Sequence, residues 1–313
     1  MSLEPDPDSL FTRAGLSGRW IDHFQDIRDF AAVEEVVAAY PIDLVFHLAA
    51  QPLVRTGFEE PLSTFQTNTM GTANVLEATR RSPTAKGSVV ITTDKVYRPV
   101  ESTYDYREDD PLGGHDPYAA SKAAAEHVAS SWRTLCALEG TQQVAVARAG
   151  NVIGGGDYAR DRLLPDLIRA FAASEVAELR HPANTRPWQH VLDPLAGYLM
   201  LGARVLTGFE APHAVNFGPT REESVGTVAD LASQAWGAGA SWREVSVPGV
   251  PETPLLSLSS QLARDLGWQP AWNTQEAIVH TVDWWRAYFD GVNALELCLA
   301  DLERFMASQV AHS

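Results

Sequence analysis

Short apolar runs alternate along this chain with longer stretches in which apolar residues recur every three or four positions. "DLVFHLAA" (43–50) is a continuous apolar run behind Pro41, and a helical pattern follows it over about 71–80. "GSVVITT" (87–93) repeats the arrangement and leads to a helix predicted from about 117 to 138. "QVAVARAGNV" (143–152) and "HAVNFG" (213–218) predict a third and a fourth strand. Short buried strands separated by helical patterns predict βαβ units, hence an α/β fold with a doubly wound parallel sheet. Ligands of such sheets sit beyond the carboxyl ends of the strands. One of those ends carries "HLAAQ" (47–51) and another carries Thr93, Asp94 and Lys95. The two are expected to face one cleft. From Asn151 onward the texture changes to Gly- and Arg-rich loops, with a weaker β/α pattern over about 220–270. That change predicts a smaller lid around the cleft.

Composition narrows the class without changing the architecture. The 313 residues are 45% hydrophobic and 20% charged, as in ordinary globular proteins. No apolar run approaches the roughly 20 residues of a membrane span, and the start "MSLEPDPDSL" lacks the basic and apolar regions of a signal peptide. Two cysteines, Cys136 and Cys298, support neither a disulfide framework nor a thiolate cluster, so a cytoplasmic setting is expected. A formal charge of −16 disfavours a nucleic-acid partner, though a few local arginines can still bind a small anion. The histidines and acids show no metal-ligand spacing.

The chemistry concentrates in two stretches. In "DPYAASKAAAE" (116–126), Tyr118 and Lys122 are four apart and share one helix face. A nearby ammonium favours the phenolate, so Lys122 is expected to lower the Tyr118 pKa. A phenol so tuned can take a proton from a hydroxyl while hydride leaves the adjoining carbon. Thr93, at its strand tip, is placed to hydrogen-bond the same hydroxyl. A solvated tyrosine and lysine on a surface helix is the plainer alternative.

Several motifs together resemble the extended short-chain dehydrogenase/reductase family, and within it the sugar-nucleotide 4,6-dehydratases. They are "HLAAQPLVR" (47–55), "TNTMGT" (67–72), "TTDKVY" (92–97), "YREDDPLGGHDPYAASK" (106–122), "RAGNVIGGGD" (148–157), "DRLLPD" (161–166) and "RPWQHVLDPLAGYL" (186–199). The dTDP-sugar relatives carry Thr-Asp-Glu where this chain has Thr93, Asp94 and Lys95, so the lysine points to the CDP-sugar branch. The resemblance implies a Rossmann-like NAD-binding domain over 1–150, joined by about 188–220. It implies a substrate-binding lid from 151–187 and 221–290, with 291–313 as a C-terminal helix or tail. It also implies a homodimer or homotetramer.

The implied reaction dehydrates CDP-glucose to its 4-keto-6-deoxy product. Tyr118 takes the 4-hydroxyl proton while NAD accepts hydride from C4. The ketone acidifies C5, water leaves across C5 and C6, and hydride returns to C6. Elimination needs an acid and a base side by side. Asp94 is assigned as the acid and Lys95 as the base, each in its less usual protonation state. By the same resemblance Asp26 and Ile27 lie near adenine. Leu48, Ala49 and Ala50 lie beside the ribose and nicotinamide, with Asn68, Tyr118 and Lys122 completing the cofactor contacts. Gln51, Asn151, Arg162, Arg186 and His190 are the substrate-side candidates, the arginines suiting a diphosphate, with salt bridging to local acids as the alternative.

The family opens with a strand, a glycine-rich turn and a helix, and residues 4–29 do not match that unit. The expectation is therefore a sheet lacking its N-terminal βαβ part, with "DLVFHLAA" at an open edge. Two other functions stay open: a related epimerase or dehydratase acting on a dTDP- or GDP-sugar, and a non-catalytic binder of nucleotide sugars.

Overall fold

The computed structural model describes residues 5–100, 104–208, 210–246 and 256–311. Four parallel strands form the central sheet: β1 (Leu44–His47), β2 (Gly87–Ile91), β3 (Gln143–Ala149) and β4 (Ala214–Phe217), in the order β1-β2-β3-β4. Val89 of β2 stands beside Phe46 on one side and Ala145 on the other. Strand alternation sends neighbouring side chains to opposite faces. Val90, Val144 and Val146 pack with Leu76 and Ala129 on one side. Val89, Ala145 and Ala147 pack with Leu201, Val205 and Phe217 on the other.

Helices cover both faces, as a parallel sheet requires. On the first face lie α1 (Phe30–Ala38), α2 (Gly71–Arg81) and α3 (Pro117–Glu139). The long α3 is fixed at both ends. Asp116 accepts from the Ala119 amide at 2.9 Å and Pro117 opens the first turn, while Gly140 at φ 65° ends the helix in the left-handed region. A five-residue π turn, Gln66–Met70, precedes α2 and escapes any reading of periodicity.

The stretches expected to form a lid contribute α4 (Leu163–Ala172), α6 (Val225–Trp236) and α7 (Thr274–Phe289), while α5 (Leu192–Thr207) covers the second face of the sheet. Lid residues Leu167, Ile168, Val228, Ile278 and Trp284 share a second core. The last helix, α8 (Ala294–Ala311), adds Ala294 to it.

The third predicted strand divides in two. Gly150 breaks it, and Asn151–Ile153 joins a separate ladder with Trp188–His190. A Cβ on Gly150 would fall 2.5 Å from Pro187 Cγ, and the Asn151 amide donates to the Pro187 carbonyl at 3.0 Å. The chain thus enters the lid and leaves it side by side. β1, the first strand among the described residues, is one edge of the sheet. Residues 19–27 form no strand, and Trp20, Ile21 and Phe24 are exposed. No described helix is long and apolar enough to cross a membrane.

Candidate active site

The tip of β2 presents Thr93, Asp94 and Lys95 because the strand stops pairing there and coils into a 3-10 turn, Asp94–Val96. Thr93 is still extended (φ −149°, ψ 158°), and its hydroxyl caps the turn from outside. Asp94 is buried at 2% exposure. Its Oδ1 accepts from the Thr93 hydroxyl at 2.9 Å, and its Oδ2, also buried, has no hydrogen-bond partner. Burial pushes the Asp94 carboxyl up, outweighing the opposing pull of Lys95, the Thr93 hydrogen bond and Arg186. A carboxyl so placed favours its protonated form. Lys95 is half-buried beside it.

The first turns of α3 bring Tyr118 and Lys122 under this tip. Close packing sets the approach: a Cβ on Gly57 would lie 3.2 Å from the Tyr118 amide nitrogen, and one on Gly114 would lie 2.4 Å from Ala119. The expected lowering of the phenol does not occur. Burial pushes Tyr118 up to about 12, with the Asp94 charge adding to the rise and the Thr93 hydroxyl and Arg162 guanidinium acting the other way. Burial of the phenol is the main cause. Lys122 is itself buried, its ammonium donates to the Ile91 carbonyl at 3.0 Å, and burial pushes its pKa down to about 8 against the pull of Glu126. In a site this dry, desolvation of the phenolate outweighs the charges around it.

Beyond the tip of β1, Leu48 and Ala49 are exposed and Ala50 is half-buried. The turn that follows is stapled to α3. Asn68 Oδ1 accepts from the Gln51 amide at 2.8 Å, and its Nδ2 donates to the Gln51 carbonyl at 3.0 Å and to Ser121 Oγ at 2.9 Å. The Gln51 side chain is spent internally, on Thr64 and the backbone of Leu53. Asp26 is held low by the Arg28 guanidinium, and the Ile27 carbonyl accepts from Asn74 Nδ2 at 2.9 Å. An exposed Leu48–Ala49 segment at a strand end, with only small side chains at 49 and 50, could hold a ribose and a flat ring.

On the lid side, Asn151 is half-buried in its short ladder. Arg162 is partly exposed, 3.7 Å from Asp157, and near enough to Tyr118 to act on its phenol. Arg186 is buried, donates from Nη1 to the Thr185 carbonyl at 2.9 Å, and acts on Asp94. His190 packs behind Gly154: its ring is edge-on to Trp272 at 4.6 Å, Nδ1 accepts from the Leu192 amide at 3.3 Å, and its buried Nε2 has no hydrogen-bond partner. Burial and the neighbouring His280 push it down to about 3, so it is neutral. The structure therefore groups Thr93, Asp94, Lys95, Tyr118, Lys122, Arg162 and Arg186, and leaves His190 in the packing behind Gly154. Among the described residues no group of His, Cys, Asp and Glu could hold a metal ion.

Two features go beyond the predicted residues. Buried His47 Nε2 lies 3.0 Å from Thr72 Oγ1, its pKa pushed down to about 3 by burial and by the Lys122 charge. Arg55 reaches Asp161 at 2.7 Å across 106 positions of sequence. Both pairs touch motifs visible in the sequence, "HLAAQPLVR" and "DRLLPD", but only the fold pairs them.

The sequence profile of the NAD dependent epimerase/dehydratase family matches residues 12–218. The chain is 38% identical over 313 residues to a CDP-glucose 4,6-dehydratase of Salmonella typhimurium, covering 97% of this chain and 87% of that protein. It is 31% identical to a dTDP-glucose 4,6-dehydratase of Streptomyces niveus, covering 83% and 74%. Among solved structures, a dTDP-glucose 4,6-dehydratase from Streptomyces venezuelae with NAD bound aligns with a TM-score of 0.75 at 25% identity, covering 87% and 81%. A Thermus thermophilus UDP-glucose 4-epimerase complexed with NAD aligns with a TM-score of 0.75 at 25% identity, covering 84% of each chain.

Proposed function

This chain belongs to the NAD dependent epimerase/dehydratase family, and from that premise we propose that it dehydrates CDP-glucose to the 4-keto-6-deoxy sugar nucleotide. It is an NAD-dependent sugar-nucleotide dehydratase. The carrying observation is Asp94: a buried carboxyl, pushed up, with one oxygen unpartnered, between a lysine and a tyrosine that the fold brings together. An epimerase does not need such an acid; an elimination does.

NAD, when bound, takes hydride from the sugar C4 and later gives it to C6. The residues at hand fit its ribose and nicotinamide end: exposed Leu48 and Ala49, half-buried Ala50, Asn68 anchoring their loop, and Tyr118 with Lys122 as donors. Asp26 and Ile27 are assigned to the adenine side. Tyr118, which burial holds as the phenol, takes the proton of the 4-hydroxyl only as its phenolate, a form that the positive charge of NAD would favour, while Thr93 fixes that oxygen. Lys95 removes the C5 proton made acidic by the neighbouring ketone, Asp94 delivers its proton to the 6-hydroxyl, which departs as water, and Lys95 gives its proton back to C5 when hydride reaches C6. Elevation of the Asp94 pKa supports the acid role. Arg162 and Arg186, with Asn151, are assigned to the diphosphate. Gln51 acts through its turn, and His190 is given a packing role in place of a substrate contact.

In this reading residues 1–150 with the 188–220 join form the cofactor half, and 151–187 with 221–290 the substrate half. Exposed Leu62, Phe65 and Met70 on consecutive turns before α2 support pairing of two copies through this helical face, and unpaired Cys136 and Cys298 suit the cytoplasm. The test is incubation with NAD and CDP-, dTDP- or GDP-glucose, followed by the alkaline absorbance of a 4-keto sugar. Product from the CDP sugar is expected. Equal product from another base moves the specificity, and no product from any of them rejects the dehydratase reading.

A further inference from the structure

Directly beneath the grouped residues lies an ion pair that takes no part in the chemistry above. Glu126 on α3 and Arg148 on β3 have side-chain exposures of 0% and 2%. The guanidinium meets the carboxylate twice from Nε, at 2.8 and 3.0 Å, and again from Nη2. Burying a charge pair is weak evidence for stability, because desolvation offsets the attraction and apolar residues of the same volume often serve as well. Its value here must be sought in what it holds.

The outer bonds of the pair answer that. Glu126 Oε1 accepts from the Thr92 hydroxyl at 2.6 Å. Arg148 Nη1 donates to the Tyr97 hydroxyl at 2.7 Å and to the Glu108 carbonyl at 3.0 Å. Tyr97 donates onward to Asn216 Oδ1 at 2.6 Å. Thr92 and Tyr97 flank the segment 93–96, so one end of the turn is tied to the carboxylate and the other to the guanidinium. Glu126 is also one helical turn beyond Lys122, and two beyond Tyr118, on the same face of α3.

We propose that the Glu126–Arg148 pair is a positioning clamp that fixes both ends of the Thr93–Asp94–Lys95 turn against the helix carrying Tyr118 and Lys122. The clamp rests on the dehydratase reading above, since it serves the registration of an acid and a base on one sugar ring. Directional, charge-assisted bonds supply what an apolar plug cannot: a fixed distance between strand tip and helix. Catalysis is sensitive to that distance, a misplacement of about 1 Å being able to cost on the order of 100-fold. Glu126, Arg148, Thr92 and Tyr97 are positioning residues and touch no substrate.

The test uses peripheral hydroxyls, because removing either charge threatens folding. Thr92→Val and Tyr97→Phe each delete one tie while keeping the volume, and the Tyr97 ring keeps its stacking on Tyr106 at 4.7 Å. Thr92→Ser restores the hydroxyl. Steady-state kinetics with CDP-glucose and NAD, thermal midpoints, and the transient absorbance of reduced nicotinamide are measured on all four proteins. The clamp predicts kcat lowered about tenfold or more in Thr92→Val and Tyr97→Phe with KM within about twofold. It also predicts more reduced nicotinamide in the steady state, because elimination is slowed more than oxidation, and recovery in Thr92→Ser. Unchanged kcat in both deletions overturns it, as does a Thr92→Ser protein as impaired as Thr92→Val, or losses that track the thermal midpoint alone. A parent protein inactive on every sugar nucleotide overturns the dehydratase reading and the clamp with it.

Discussion

Replacing Lys122 by methionine should make the protein more stable at neutral pH while removing its activity. The folded chain holds this ammonium in a site where only 7% of the residue is exposed, and burial lowers its pKa from 10.5 to about 8. At about 1.4 kcal/mol per tenfold, that lowering sets about 3 kcal/mol against the charged form. Methionine has a similar shape and removes this cost, but it strands the Ile91 carbonyl that the ammonium satisfied. Leaving that acceptor unpaired costs about 1–2 kcal/mol, so a net gain of about 1–2 kcal/mol is expected at pH 7. Between about pH 8 and 10.5 the unfolded chain binds more protons at this position than the folded one, so the stability of the parent rises with pH there. Methionine binds none. Its advantage should therefore fall by about 2.5 kcal/mol between pH 7 and pH 10 and reverse sign. Urea unfolding of both proteins at the two pH values, read as a difference at each pH, cancels every other titrating group. A difference that stays the same at both pH values would refute the reasoning.

Asp94→Asn and Lys95→Ala are each expected to cut 4-keto product by about 10²- to 10⁴-fold, the usual worth of a positioned acid or base, with little change in sugar-nucleotide binding by calorimetry. Arg148→Met leaves the Glu126 carboxylate buried without its counter-charge, and should lower unfolding free energy by about 3–5 kcal/mol in urea. Gly155→Ala drives a methyl group to 2.1 Å from the buried Trp284 ring, and should cost about 1–3 kcal/mol by the same measurement.

The strands and the long helix were legible because each rests on local signals. The β-branched run at 89–91, the Asp116–Pro117 start and the Gly140 stop all name their elements from a few neighbouring residues. The grouping of Thr93, Asp94, Tyr118 and Lys122 was legible for a different reason, since strand-tip placement is a property of the whole fold class. What stayed hidden depends on three-dimensional surroundings. The interruption at Gly150 follows from Pro187, which needs the space a side chain would fill. The rise of the Tyr118 pKa follows from burial that a helical i, i+4 spacing does not disclose. His190, drawn from a motif, proves to be packed against Trp272, a partner 82 positions away (272 less 190) that no spacing rule connects to it. Arg55 and Asp161 meet only because the lid folds back over the turn after β1.

The adjacency of Gly150 and Pro187 has a mechanical corollary. Outbound and returning backbone are laced together at that point, so the two roots of residues 151–187 are held side by side and cannot part independently. Arg186 lies beside that lacing, whereas Arg162 lies within the intervening stretch next to the Asp161 that Arg55 holds, so the two arginines are anchored to the rest of the chain by different ties.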